Sequence, residues 1–102
     1  MKHDTLTGPE REAQILTAAV RVAARHGFSK FTLQQVADEA GVHKTLPIHY
    51  FGTMVKLRRK VMRAAVKQEV LSVIAQGLAL RDPYAQKASD DVKARALHAL
   101  TV

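Results

Sequence analysis

Three consecutive residues, His43, Lys44 and Thr45, carry side chains well suited to contact nucleic-acid bases. Lysine can donate to guanine O6 or N7, threonine can hydrogen-bond or pack on a methyl group, and histidine acts according to its protonation. The three residues follow Gly41 and open a short segment that ends at Gly52. This arrangement is typical of the helix that a helix-turn-helix places in the major groove of DNA. We therefore expect these side chains to meet bases or adjacent phosphates.

Five residues around this segment are further candidates for DNA contact. Thr32 lies at a predicted helix start, where backbone N–H groups can bind phosphate, and Gln34 projects from the same turn. His49 and Tyr50 could donate to phosphates, although one of the two is expected to lie partly in the core. Lys56 lies at the start of the next helix, where it is expected to reach the DNA backbone.

The positive charge of the chain is concentrated in one segment. The chain has sixteen basic and nine acidic residues, which gives a formal net charge of +7. Between Ala40 and Gln68 there is no acidic residue, and the basic ones are Lys44, Lys56, Arg58, Arg59, Lys60, Arg63 and Lys67. Such a surface attracts phosphates over roughly 8 Å at physiological salt. The alternative is a solvated helix face, and composition alone does not decide between the two.

Two helices are predicted before the turn. Apolar residues at three-and-four spacing indicate an amphipathic helix from Glu10 to His26, followed by Gly27. The sequence Thr32-Leu33-Gln34-Gln35 is a capping box, so a second helix starts at Leu33. This helix ends at Gly41, which can adopt the left-handed conformation of a sharp turn.

The third helix is predicted to be short because Pro47 cannot lie in a helix interior. The helix begins near residues 45–47, or carries a distorted first turn from His43, and it ends by Gly52. Ile48 and Phe51 are expected to face the core. Pro47 could stiffen the exposed helix start, touch a thymine methyl group, or be only an N-terminal helix residue.

The second half of the chain is predicted to serve dimerisation. A long basic helix is expected from Thr53 to about Leu80, and a short final helix starts after Ser89. The long helix is apolar on more than one face, which a small monomer has difficulty covering. We expect an all-α fold with a helix-turn-helix domain at residues 1–52 and a dimerisation unit at residues 53–102. The predicted dimer contacts are Leu71, Ile74, Leu78, Leu97 and Leu100.

These elements together resemble the N-terminal DNA-binding domain of the TetR family of bacterial repressors. The matching residues are Ile15-Leu16, Ala18-Ala19, Gly27-Phe28, Thr32, Val36-Ala37, Ala40-Gly41-Val42, His49-Tyr50-Phe51-Gly52-Thr53 and Leu57. The family usually has Ser at position 43, a Leu-aromatic pair at 47–48 and a Lys-acid pair at 54–55. In this chain those positions hold His43, Pro47-Ile48 and Met54-Val55, all on or beside the recognition helix.

The resemblance implies a repressor of transcription that binds a palindromic double-stranded DNA operator as a homodimer, and such dimers could pair further on DNA. It also implies a bacterial, plasmid or phage setting. About 50 residues follow the resembling segment, which is too few for an enclosed drug-sized pocket. No small-molecule inducer is therefore expected. The alternative function is a basic helical module that docks on an acidic protein partner, which Pro47 and the missing Lys-acid pair keep open.

Other classes of function have little support in the sequence. No set of nucleophile, base and orienting group is present, and no glycine-rich phosphate loop, so catalysis and cofactors are not expected. His26, His43 and His49 lack cysteine or carboxylate partners for a metal site. No segment is apolar for long enough to cross a bilayer, and the polar residues 1–9 do not resemble a signal sequence. A cytoplasmic protein without membrane contact is expected.

Overall fold

The computed structural model describes residues 6–101, and every regular element in that range is a helix. The first five residues of the polar N-terminal segment and Val102 lie outside the described residues. The helices are α1 (Gly8–His26), α2 (Leu33–Ala40), α3 (Leu46–Phe51), α4 (Met54–Gln68), α5 (Leu71–Ala79), α6 (Pro83–Gln86) and α7 (Asp90–Thr101). The predicted all-α class is confirmed.

Capping boxes set the start of the first two helices. At α2 the Thr32 hydroxyl accepts from the Gln35 N–H at 3.2 Å, and the Gln35 side chain accepts from the Thr32 N–H at 2.9 Å. The same pair of bonds joins Thr7 and Glu10. Helix α1 therefore begins two residues before the predicted Glu10, because Thr7-Gly8-Pro9-Glu10 is itself a capping box.

The core lies where α1 packs on α2 and α4, with α3 closing one side. Its largest buried members include Phe31, Ile15, Leu57 and Val36. The side-chain amide of Gln14 donates to the Ala40 carbonyl at 3.1 Å, which joins α1 to the end of α2. These contacts hold α2 and α3 on a rigid base, so the exposed faces of the two helices have a fixed position.

The predicted long helix from Thr53 to Leu80 is wrong, because the chain breaks at Glu69. This residue is left-handed, with φ 57° and ψ 46°, and the Val70 N–H returns to the Ala65 carbonyl at 2.9 Å. The Glu69 side chain accepts from Arg95 of α7 at 2.9 Å. The break folds α5 back, so its apolar faces contact α4, α6, α7 and α1 of the same chain. A straight helix would have left one of those faces in water.

The last three helices form a compact group. Helix α5 packs most extensively on α7, and α6 lies across α4 and α5. Asp82 caps α6, where its carboxylate accepts from the Tyr84 and Ala85 N–H groups. Helix α7 starts after Ser89 as predicted, with the Ser89 hydroxyl accepting from the Val92 N–H at 3.2 Å. Within residues 6–101, no helix combines the length and apolarity needed to span a bilayer.

Candidate nucleic-acid interface

The turn between α2 and α3 depends on Gly41. Its backbone is left-handed, with φ 70° and ψ 35°, a conformation that costs other L-residues about 1–2 kcal/mol. The Val42 N–H donates to the Ala37 carbonyl at 3.0 Å, and the Gly41 N–H donates to the Asp38 carbonyl at 3.2 Å. These bonds satisfy carbonyl groups at the end of α2 and direct the chain into α3 at an angle. The predicted helix-turn-helix geometry therefore has a clear local cause.

His43 organises the residues before α3. Its Nδ1 accepts from the Thr45 N–H at 3.2 Å and lies 2.9 Å from the Thr45 hydroxyl. A ring nitrogen that accepts a backbone N–H carries no proton, so the neutral imidazole has its proton on Nε2. Thr45 is the residue before the first helical residue Leu46, but its own side chain makes no capping bond. His43 therefore presents Nε2–H as a donor on an exposed residue.

Four of the residues predicted to contact DNA lie close together in the structure. His43, Lys44 and Thr45 are all exposed at the start of α3. Gln34 of α2 joins Lys44 and Thr45 in lining one shallow depression of about 390 Å³, whose floor is apolar. The Gln34 amide donates to the Asp38 carboxylate at 2.8 Å, which holds it on the outer side of α2. A single surface thus contains one amide, one ammonium, one imidazole and one hydroxyl group.

Two helix starts flank this surface, as predicted for phosphate contacts. At α2 the capping box leaves the N–H groups of Leu33 and Gln34 without an acceptor inside the helix. At α4 the Thr53 hydroxyl accepts from the Lys56 N–H at 3.1 Å, and the Lys56 side chain is exposed in the first turn. Both positions combine a helix N-terminus with polar side chains, an arrangement that favours a phosphate group.

The prediction of a DNA contact by Pro47 is wrong. Its side chain is among the fully buried ones, because the short α3 must turn its first-turn ring inward to pack on the core. Pro47 is thus an N-terminal helix residue with a packing role. His49 is exposed, whereas Tyr50 is half-buried against the core and meets the His49 ring edge-on at 5.2 Å. Of this pair, Tyr50 is the one partly in the core.

The basic residues of the segment between Ala40 and Gln68 have no carboxylate partner within the described part of the chain. The ion pairs found there use Arg25, Lys93 and Arg95, which all lie outside this segment. Arg58 packs over the Phe31 ring at 5.8 Å and is half-buried. Unneutralised cations on this scale attract a polyanion, and the attraction falls with added salt.

The predicted dimer contacts divide into two groups. Leu97 and Leu100 on α7 are 50% and 57% exposed, and Leu71 and Leu78 are half-buried at the edge of the core. Ile74 is fully buried inside the chain, so its assignment as a dimer contact is wrong. The break at Glu69 is the cause, because it turns this side of α5 toward the core.

A cleft between α1, α3, α4 and α6 was not predicted from the sequence. Lys56, Arg59, Lys60 and Arg63 line it at positions i, i+3, i+4 and i+7 of α4, together with Tyr50 and Tyr84. From the sequence, Lys56 was expected to reach the DNA backbone, and Arg59, Lys60 and Arg63 were expected only to add to the surface charge. The three-and-four spacing of the basic residues could have indicated that they share one face of α4. The wall that α6 forms could not be predicted, because it depends on the helix break at Glu69, and the residue types there do not indicate a break.

The Arg63 guanidinium donates to the Tyr84 hydroxyl, and it stacks over the Tyr84 ring at 4.3 Å. This hydrogen bond lowers the pKa of Tyr84 from its ordinary value of 10.0, and the charges of Arg63, Lys87 and Arg59 act in the same direction. The ammonium of Lys87 lies 5.2 Å from the same ring. The lowered pKa of Tyr84 therefore indicates a positive electrostatic potential at this end of the cleft.

Comparison with known proteins identifies relatives of part of the chain. The HTH-type transcriptional regulator BetI of Brucella anthropi is 37% identical over 60 residues, which is 59% of this chain and 31% of that protein. The BetI regulator of Agrobacterium fabrum is 34% identical over 59 residues, 58% of this chain and 29% of that protein. The alignments thus span less than a third of each relative. No solved structure matches the chain significantly.

The profile of the family described as "Bacterial regulatory proteins, tetR family" matches residues 15–61. This range contains most of α1, the whole of α2 and α3, and the first half of α4. It therefore includes the exposed surface at the start of α3 and both flanking helix starts. Residues 15–61 of this chain are therefore similar to the domain that this profile describes, across α2, the turn at Gly41 and α3.

Proposed function

We propose that the protein is a transcriptional repressor that binds a palindromic double-stranded operator as a homodimer. One observation carries the proposal: the exposed side chains of Gln34, His43, Lys44 and Thr45 form a single surface at the start of α3. The matches to regulators of the tetR family support it. Repression, the dimer and the palindrome are the parts of the proposal that go beyond these matches.

Base recognition is assigned to the three residues immediately before α3. Lys44 donates to guanine O6 or N7, and the Nε2–H of His43 is a second donor for the same kind of acceptor. The Thr45 methyl and hydroxyl groups suit a neighbouring base edge. His43 has a further role, because its Nδ1 accepts a hydrogen bond from the Thr45 N–H and so stabilises the turn before α3. Gln34 can bind a base or a phosphate from α2.

Phosphate contacts at the two helix starts fix the orientation of the domain on DNA. The free N–H groups at the start of α2, beside the Thr32 hydroxyl, bind one phosphate. Lys56, with exposed His49 on α3, binds the backbone on the other side of α3. The half-buried Tyr50 has its hydroxyl available for the same purpose. Such contacts position a protein without specifying sequence.

The dimer is assigned to α7 and the edge of α5. Leu97 and Leu100 expose half or more of their area to water, and an interface would cover them. Leu71 and Leu78 of α5, which are partly buried against the core, are the remaining proposed contacts. A two-fold axis would place two copies of α3 about 34 Å apart, so that they enter successive major grooves on one face of the duplex.

Fluorescence anisotropy with labelled duplex DNA across a salt series tests the DNA-binding part. A protein that contacts several phosphates loses affinity steeply with salt, by roughly 10³-fold or more between low and moderate salt. A module that docks on an acidic protein instead would show little DNA binding at any salt concentration.

The Lys44→Ala variant tests the role of α3. It should weaken binding to the preferred operator by about tenfold or more, as expected for loss of a base contact. Lys67→Ala is the matched control, because it removes the same charge at the far end of α4, on the order of 16 Å from Lys56 along the axis. Equal affinities for the two variants would contradict the assignment of α3 as the recognition helix.

A further inference from the structure

We propose that the cleft between α1, α3, α4 and α6 is a binding site for a small, multiply charged phosphate compound. The cleft has a volume of about 350 Å³, which lies within the range of small-ligand sites. The cleft shares Lys56 and Tyr50 with the proposed phosphate contacts, but it contains none of the proposed base-contact residues. A ligand there would revise the expectation, based on chain length, that no small molecule would bind.

The charge of the cleft comes from one face of α4. Lys56, Arg59, Lys60 and Arg63 recur at three-and-four spacing, so their side chains leave the helix on the same side. None of them has a carboxylate partner among residues 6–101. Glu12 of α1 is the acidic residue in the lining, and it does not reach ion-pair distance of these cations. The cleft therefore has a local excess of three positive charges.

Two tyrosines supply neutral donors to the same space. Tyr84 accepts a hydrogen bond from Arg63, which leaves its own hydroxyl proton free to donate to an occupant. Tyr50 lines the opposite side from α3. Guanidinium, ammonium and phenol donors around one cavity match phosphate oxygens, which accept several hydrogen bonds at once.

The dimensions of the cleft favour a small ligand with more than one anionic group. Lys56 and Arg63 are about 10 Å apart along the axis of α4, so one phosphate cannot contact both ends. A DNA duplex is far too wide to enter a space of this volume, and α6 closes the end that carries Tyr84. A diphosphate or a similar compact polyanion fits both the length and the charge.

Isothermal titration calorimetry of the full chain with inorganic pyrophosphate at low ionic strength tests the site. We expect saturable binding at one site per chain. Arg63→Gln should weaken it by roughly ten- to hundredfold, as expected when a hydrogen bond to a charged group is lost. Lys60→Gln, at an exposed position, is a second variant that should act in the same direction if the first is unstable.

Lys67→Gln is the matched control, because Lys67 lies one turn beyond Arg63 on α4 but does not line the cleft. It should change pyrophosphate affinity by less than about threefold, the size of a screened surface charge effect. Absence of saturable binding, or equal weakening by the cleft and control variants, would overturn the proposal.

A measurement with DNA separates a small ligand from a backbone phosphate as the occupant. If the cleft holds a small ligand, Arg63→Gln and Lys67→Gln should lower DNA affinity to a similar, small extent. A much larger loss of DNA affinity in Arg63→Gln, without pyrophosphate binding by the unmodified protein, would show that the cleft belongs to the DNA surface. That result would also overturn the proposal, while leaving the proposed repressor function intact.

Discussion

Replacement of Gly77 by alanine tests the packing that folds α5 back onto α4. A methyl group at this position would lie 2.4 Å from Met62 Cε and 2.8 Å from Ala85 Cβ. The end of the Met62 side chain can move, but Ala85 is fixed to the backbone of α6. Helix α6 must therefore shift, or α5 must move away from it.

Two opposing contributions determine how much Gly77→Ala changes the free energy of unfolding. Forcing a methyl group into a packed core costs about 1–3 kcal/mol, and replacing a helical glycine by alanine returns up to about 1 kcal/mol. Because the contact with Ala85 cannot be relieved by a side-chain rotation, we place the cost in the upper half of its range, about 2–3 kcal/mol, and expect a net loss of about 1–2 kcal/mol in the free energy of unfolding. For a chain of this size, that corresponds to a fall of roughly 4–16 °C in Tm.

Urea unfolding followed by circular dichroism measures this effect, and Gly8→Ala is the control. Gly8 is also a helical residue, but no atom lies within 4 Å of the position that its Cβ would occupy. The control should be neutral or slightly stabilised. If Gly77→Ala were as stable as the unmodified protein, α5 would not pack on α4 and α6 as described, and the account of the break at Glu69 would fail.

Two further predictions concern the cleft and the proposed dimer. The pKa of Tyr84 is lowered in the folded state, chiefly by the hydrogen bond from Arg63, so ultraviolet titration of the two tyrosines should show one phenol ionising below 10.0. Because ionisation of Tyr84 favours the folded state, its contribution to the free energy of unfolding grows as pH rises through the folded pKa and is complete above the unfolded pKa. Arg63→Gln should remove this contribution. An unchanged tyrosine titration in that variant would contradict the contact between Arg63 and Tyr84. Leu100→Asp should weaken dimerisation by at least roughly tenfold, because it places a charge on an apolar contact. Sedimentation velocity measures this change, with Ala94→Asp on the same helix as a comparison, and equal dimer fractions would exclude α7 from the interface.

The sequence predicted the first half of the fold well because its signals are local. The capping box at Thr32 and the left-handed Gly41 each depend on residues within one turn of the chain. A local signal also accounts for the start of α1, which lies earlier than predicted. The capping box from Thr7 to Glu10 is present in the sequence and could have been used to predict it. The surface at the start of α3 follows directly from these local elements.

The remaining features depend on contacts between distant residues. Glu69 is left-handed although its residue type does not favour that conformation, and its partner Arg95 lies 26 positions away. Pro47 was predicted as an exposed first-turn residue, but the packing of α3 turned its ring into the core. Tyr84 joined the basic face of α4 only because α5 folds back. Such pairings leave no periodic pattern in the chain, so they could not be predicted from it.

Selection of bound sequences from a random pool of duplex DNA tests whether the protein reads a palindromic operator as a homodimer. The proposed repressor should enrich an inverted repeat whose half-sites lie about one helical turn, or a multiple of it, apart. The half-sites should lose enrichment when Lys44→Ala replaces the unmodified protein, and should keep it with Lys67→Ala. A pool without any enriched sequence, or with a single unrepeated site, would contradict a homodimer that reads a palindromic operator through α3.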